Sequence, residues 1–403
     1  MCANSKGPTV SDDWLEQLWW TARAYAAVAA VAIAALIGIA VYLAAGKIRW
    51  LPLQRLRPGT WGGYEVFLAF CVVNGLPLLI VTTLFLMGFF ASLLGLPPED
   101  APGPDLTVYR LRCLNVASPL ILTATLGLIF VALYVRSRTR PHQYGLSWSR
   151  WPANLGLGLA AFILVTPVVL GLHAVATITQ TEEHTLVALA RAMQQWEWGI
   201  LAFQVSIQAP LVEEILFRGI LLGWLRRATL SGHLGVVAMT VFISLLLAPQ
   251  ALGTPSAWGY IGPGVFALLS AAGYAYLLYR LARSFALNET EIRQWQLEPV
   301  NFTLEGTGIA SEEDVWQMRR LHREADERRR QDWAQQNAWL AVYGSTMLFA
   351  AFHTPAWPAP DALMLLAVAL GWLAVRTQSL IGPITLHAVF NLVSFIVLYA
   401  STP

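Results

Sequence analysis

The sequence predicts an all-α fold: a polytopic transmembrane helical bundle of about ten spans with a polar cytoplasmic helical insert. Three observations support this. Of the 403 residues, 56% are hydrophobic and only 12% are charged, against about 25% charged in soluble domains. The apolar residues gather into runs that approach or exceed the ~20 needed to cross a bilayer. The basic residues between runs are concentrated in every second loop, as the positive-inside rule requires.

In chain order, the candidate spans are 25–45, 64–95, 116–135, 155–178, 198–225, 234–251, 262–281, 336–353, 361–376 and 380–400. The stretch before the first is polar and carries Asp12, Asp13 and Glu16. That is unlike a signal peptide, so the first run is expected to remain as a span. The second is overlong and contains Asn74, Gly75 and Pro77, which predicts a kink, a tilt or a break. The ninth is short. Lys47, Arg49, Arg55 and Arg57 follow the first span, Arg136, Arg138, Arg140 and Arg150 the third, and Arg226 and Arg227 the fifth. The loops after the second and fourth hold Glu99, Asp100, Asp105, Glu182 and Glu183. This alternation places both termini outside and the basic loops in the cytoplasm.

Residues 283–335 depart from the membrane pattern and end in a charged run from Glu324 to Arg330. Ser311 followed by Asp314 resembles a capping box with a helix beyond it. The segment is expected in the cytoplasm, as a solvated helical hairpin or partly disordered loop, or else as a regulatory or substrate-gating element. The chain thus divides into N-terminal transmembrane helices (1–140), a first core membrane region (141–282), the charged insert (283–335) and a second core membrane region (336–403).

Composition also excludes some classes. The net charge of +2 is small and no basic cluster suggests nucleic-acid binding. Cys2, Cys71 and Cys113 are too few and too scattered for a disulfide framework or a thiolate metal site. All basic residues but Lys6 and Lys47 are arginine, a usage that points to a bacterial inner membrane. The lipid bilayer is the one partner that composition fixes, and the oligomeric state is open.

The chemistry-bearing residues lie inside apolar runs, where a charge costs at least ~2.5–3.5 kcal/mol and is usually buried against partners. Glu213 and Glu214 are followed by Arg218, Phe349 precedes His353 by four, and His387 precedes Asn391 by four. Residues i and i+4 share a helix face, so Glu214 pairs with Arg218. Glu213 points about 100° away and is left as a general base. A carboxylate and an imidazole can hold and deprotonate a water, while a second imidazole and an amide donate to the tetrahedral oxyanion. Alternatively Glu213, His353 and His387 ligate zinc with water in the open position. The compact H-E-x-x-H signature is lacking, so the ligand types permit zinc without requiring it. His173 stands alone on its apolar run and is expected to be an ordinary core histidine.

The pattern E-E-x-x-x-R, F-x-x-x-H and H-x-x-x-N, each motif in its own apolar helix, resembles the CPBP intramembrane proteases. These include the type II CAAX prenyl endopeptidases and bacterial bacteriocin-processing (Abi-like) proteins. Phe217-Arg218-Gly219 running into Gly223-Trp224-Leu225, and Gly382-Pro383-Ile384 before His387, are similar to the family's flanks. The resemblance spans roughly 145–400. It implies an intramembrane endopeptidase acting near the membrane interface on a peptide or membrane-anchored protein. By the same resemblance Glu213 and His353 activate water, His387 and Asn391 hold the oxyanion, and Glu214 and Arg218 brace the site. Phe349 packs the core. Such enzymes are often labelled metalloproteases, and a glutamate-activated water without tightly bound metal is also proposed for them. The metal-free chemistry is preferred and the cofactor is left open. One departure is that two further spans and the charged segment separate Arg218 from Phe349. Within them, span 234–251 offers Phe242 but Leu246 where a histidine would fall. Rival functions are a proton- or ion-coupled transporter and a catalytically inactive membrane scaffold.

Overall fold

The structure is a computed structural model that describes residues 60–95, 103–177, 185–248, 261–297, 337–356 and 359–402, with Arg320 and Glu324 besides. The 25–45 run, the capping-box residues and most of the 283–335 segment lie outside the described residues.

Apolar runs in lipid must satisfy their backbone groups internally, and every described element is helical. They are α1 (Gly63–Leu86), α2 (Phe89–Leu94), α3 (Gly103–Ser137), α4 (Trp151–Thr177), α5 (Thr185–Ala192), α6 (Gln195–Leu225), α7 (Leu230–Leu247), α8 (Ile261–Leu297), α9 (Ala338–Phe352), α10 (Ala359–Thr377) and α11 (Ile381–Ser401). Eight of these helices are long and apolar enough to cross a membrane. The protein is a multi-pass integral membrane protein with an all-α helical bundle.

Two details differ from the sequence expectation. The overlong second run is continuous through Asn74, Gly75 and Pro77 and breaks instead at Met87 and Gly88. Gly88 takes φ 71°, the left-handed conformation that glycine adopts at no steric cost. The eighth run forms α9, whose 15 residues are shorter than a full span. From Leu340 to Ala351 all its residues but Tyr343 are buried. A helix that is apolar all round belongs in an interior, and α9 packs between α7 and α10.

The peripheral helices turn leucines outward: Leu78, Leu79, Leu86, Leu268 and Leu269 are all well exposed, as a lipid-facing surface allows. Phe242 and Leu246 of α7 are exposed as well, so α7 repeats none of the α9 pattern. By contrast α6 and α10 are half buried along their span windows. The main core gathers Ile215 to Leu225 of α6 with Leu348 and Phe349 of α9 and Ala367 and Ala374 of α10. Helix α11 lies along α4, and glycines permit the close approach: a Cβ at Gly158 would stand 2.6 Å from the Gly382 carbonyl oxygen. The first turn of α6 is tied to α3 by a bidentate pair, Arg112 Nε and Nη2 donating to Glu197 at 3.1 and 2.8 Å.

Candidate active site

Helix α6 is wider than an α-helix in two places, Gln204–Gln208 and Glu214–Leu221, where it takes π geometry. Such widened turns recur at functional sites, and here the first has a cause in sequence. Ala209 N–H reaches back five residues to the Gln204 carbonyl, and Pro210 has no N–H to give. The Val205 carbonyl is therefore left over, and a buried carbonyl needs a donor. Asn391 Nδ2 of α11 supplies it at 3.0 Å. Other side chains hold further α6 carbonyls. Ser345 Oγ donates to Phe217 O at 2.9 Å, Trp61 Nε1 to Ile220 O at 2.9 Å, and Asn337 Nδ2 to Leu225 O at 2.8 Å.

This framework brings Glu213, Glu214, Arg218 and His387 together. Arg218 Nη1 donates to Glu214 Oε1 at 3.1 Å, the i,i+4 pair expected from sequence, with both side chains fully buried. The same oxygen accepts from His387 Nδ1 at 2.8 Å. With Nδ1 donating to a carboxylate, neutral His387 carries its lone pair on Nε2. That nitrogen faces Glu213 Oε2 at 3.8 Å, too far for a hydrogen bond and close enough for one water to touch both. Glu213 is about a quarter exposed, at 28% of its side chain, yet its Oε2 is buried and has no hydrogen-bond partner. A buried acceptor in that condition calls for a donor.

The ring of Phe349 underlies the cluster. It is fully buried, as a core-packing residue should be. The Arg218 guanidinium lies 4.4 Å from its centroid, His353 at 4.4 Å and His387 at 5.9 Å. The cation–π contact gives the buried guanidinium a second favourable partner besides Glu214. His353 is the C-cap of α9, half-buried, and its Nδ1 donates to the Phe349 carbonyl at 2.8 Å, which leaves Nε2 as an acceptor. Sequence reasoning joined Glu213 to His353. The structure instead sets His387 beside both carboxylates, with His353 against the Phe349 ring at 4.4 Å between centroids. What sequence reasoning passed over is Pro210, a helix-disfavoured residue in an apolar run just before Glu213, and Ser345, whose one polar atom inside α9 was the available signal.

As a zinc site this arrangement lacks a third ligand. The Nδ1 bonds of His387 to Glu214 and of His353 to a backbone carbonyl leave each Nε2 as the available atom, yet these are not grouped with Glu213 closely enough to make a ligand set. Among the described residues no three His, Cys, Asp or Glu side chains are grouped to hold a metal ion.

The family model for the type II CAAX prenyl endopeptidase Rce1-like proteins matches residues 194–287 and 315–393. Those two stretches contain Glu213, Glu214, Arg218, Phe349, His353, His387 and Asn391. Over these two stretches the membrane core is similar to the Rce1-like family. The unmatched interval, 288–314, falls inside the charged 283–335 segment, whereas the two further spans between Arg218 and Phe349 lie within the matched stretch. No curated protein and no solved structure matches the chain.

Proposed function

We propose that Glu213, His387 and their neighbours are the site at which this intramembrane endopeptidase hydrolyses peptide bonds. One observation carries the reading: His387 lies between two carboxylates, bonded to Glu214 at 2.8 Å and facing Glu213 at 3.8 Å.

A water between Glu213 Oε2 and His387 Nε2 has two acceptors for its protons. As its oxygen attacks the scissile carbonyl carbon, one proton passes to Glu213, the general base, and is returned to the leaving amine as the C–N bond breaks. Glu214 fixes the His387 tautomer and orientation, so that Nε2 accepts a hydrogen bond from the water, as a buried carboxylate does behind a catalytic histidine. Arg218 holds the Glu214 carboxylate in place through a charge-assisted hydrogen bond. Asn391, pinned by Val205, keeps a second N–H for the oxyanion, and His353 orients the water or substrate from its place against the Phe349 ring. The chain's own donors and acceptors complete the proton inventory, so no step is routed through a metal.

The substrate class is a peptide that reaches the site from the membrane, either as a membrane-anchored protein or as a lipidated C-terminal segment of the kind the family name describes. The distribution of basic loops supports an insert on the cytoplasmic side and termini outside. The test is cleavage of an internally quenched peptide, with and without a prenylated cysteine, by the full chain in nanodiscs. Glu213→Gln is expected to abolish cleavage while leaving the melting temperature unchanged. Retained cleavage in that variant removes Glu213 from the chemistry, and preference for the unlipidated peptide removes the lipid from recognition.

A further inference from the structure

The second widened turn of α6, Glu214–Leu221, carries both Glu214 and Arg218. Leu222 N–H reaches back five residues to the Phe217 carbonyl, whereas Arg226 N–H reaches back four to the Leu222 carbonyl. The carbonyls of Arg218, Gly219, Ile220 and Leu221 therefore face only the N–H groups of Gly223, Trp224 and Leu225, and one of the four has no helical donor. Trp61 Nε1 donates to Ile220 O at 2.9 Å. Trp61 stands just before α1 and is buried. Its indole lies on Gly223, where a Cβ would meet the ring at 2.9 Å. In turn Trp224 lies on Gly63, the first residue of α1, where a Cβ would meet its ring at 2.8 Å. Two tryptophans and two glycines thus interlock the start of α1 with the end of α6, at a spacing that a side chain would crowd. The Arg227 guanidinium, 4.3 Å from the Trp61 ring centroid, adds a cation–π contact.

The interlock bears on where Glu214 points. A widened turn holds one residue more than an α-helical one, so closing it would rotate Glu214 by about 100° relative to Leu225. Glu214 would then leave His387 Nδ1, its partner at 2.8 Å. We propose that Trp61 is a positioning residue for the active site. By satisfying the carbonyl that the widened turn leaves over, it keeps the turn open and Glu214 on His387. Trp61 and Gly63 lie before the first stretch that the family model matches, so the chain ahead of that stretch supplies half of the interlock. The consequence for rate rests on the hydrolytic reading given above, and the consequence for His387 does not.

The test uses the full chain in nanodiscs with ¹⁵N-labelled histidine, the His387 signals being assigned by their loss in His387→Gln. Trp61→Phe keeps an aromatic ring near Gly223 and removes the N–H. Gly223→Ala keeps the indole and pushes it off the Ile220 carbonyl, and it decides the matter if Trp61→Phe does not fold. Tyr109→Phe is the control, because it removes a 2.8 Å bond to the Gly95 carbonyl within the separate α1–α3 cluster. Trp61→Phe and Gly223→Ala are expected to move the His387 Nδ1–H signal, and the control to leave it in place. Turnover should fall about ten-fold with KM within about two-fold of the parent, since a displacement of about 1 Å in a positioning group can cost as much. A parent chain that cleaves no peptide counts against the hydrolytic reading, and the ¹⁵N comparison then decides this proposal alone. A lowered melting temperature with unmoved His387 signals overturns it, because Trp61 then only joins helices. A raised KM at unchanged kcat overturns it too, because Trp61 then acts on substrate admission.

Discussion

Helix α9 joins two buried histidine clusters that differ in one respect. At its C-terminal end, His387 gives Nδ1 to a carboxylate and turns Nε2 toward a second carboxylate that has a buried oxygen to spare. At its N-cap, His233 of α7 is bonded through Nδ1 to the Tyr274 hydroxyl, and its Nε2 accepts from Asn337 Nδ2 at 3.0 Å. Asn337 in turn holds the Leu225 carbonyl of α6 at 2.8 Å, so the second cluster links α6, α7, α8 and α9. Both histidines are buried to within a few per cent. Burial therefore does not mark the functional one. A histidine saturated by neutral partners is a joint between helices, whereas one set between carboxylates, with an acceptor left open, can move a proton.

The largest effect expected is on Glu213. Glu213→Gln keeps the shape and removes the base, so turnover should fall by about 10²–10⁴-fold with no loss of stability. Steady-state cleavage beside a thermal melt checks both halves, and a matching fall in stability would blur the distinction between the clusters.

Glu214→Gln should fail on both counts. It leaves the fully buried Arg218 without its anion, and breaking a buried pair in this way costs about 3–5 kcal/mol. Any protein that still folds should also lose cleavage, because His387 would no longer be held by a charge. Denaturant or thermal unfolding of the detergent-solubilised variant reads the first loss, and cleavage per folded molecule reads the second.

His233→Leu is the mirror experiment. Asn337 and Tyr274 each lose a partner inside the protein, which should destabilise the bundle by about 2–3 kcal/mol. Cleavage per folded molecule should stay within about two-fold of the parent, since a structural joint acts on the amount of native protein rather than on the chemistry.

Pro210→Ala moves the comparison to the active end alone. With an N–H restored at 210, the widened turn can close to an α-helix and reclaim the Val205 carbonyl from Asn391. Stability should hold or rise slightly. Turnover should fall about ten-fold, because a displacement of about 1 Å in a positioning group can cost as much. Unchanged turnover would show that Asn391 is placed by other means.

Much of this was legible in the sequence, for identifiable reasons. Apolar runs in a low-dielectric medium admit few structures, and the nine predicted spans that could be compared with the structure are all helical, although the second is broken at Gly88 and the eighth is shorter than a full span. The i,i+4 geometry of one helix fixed the Glu214–Arg218 pair. What lay across helices was hidden. Whether Glu213 meets His353 or His387 depends on the depth and rotation of α9 and α11, which no local pattern encodes. The break at Gly88 rather than Pro77 has the same origin, since a proline is tolerated in a membrane helix when neighbours satisfy the freed carbonyl. The His233 cluster escaped because its partners come from α8 and α9, far along the chain.

The smallest change expected is also the one that probes the link between the clusters. Tyr274→Phe keeps the ring that stacks on Tyr343 at 5.9 Å and deletes only the hydroxyl. That hydroxyl lies over Gly344, where a Cβ would meet it at 2.6 Å, so its removal leaves a small gap in a tight crossing. His233 Nδ1 then loses its acceptor, and one neutral hydrogen bond is worth about 1 kcal/mol. A shift of a few degrees in the melting temperature with unchanged cleavage is expected. If cleavage falls instead, the two clusters are not independent. The carrier would then be α9 itself, whose 15 residues run as a stiff rod of about 1.5 Å per residue from Asn337 to His353.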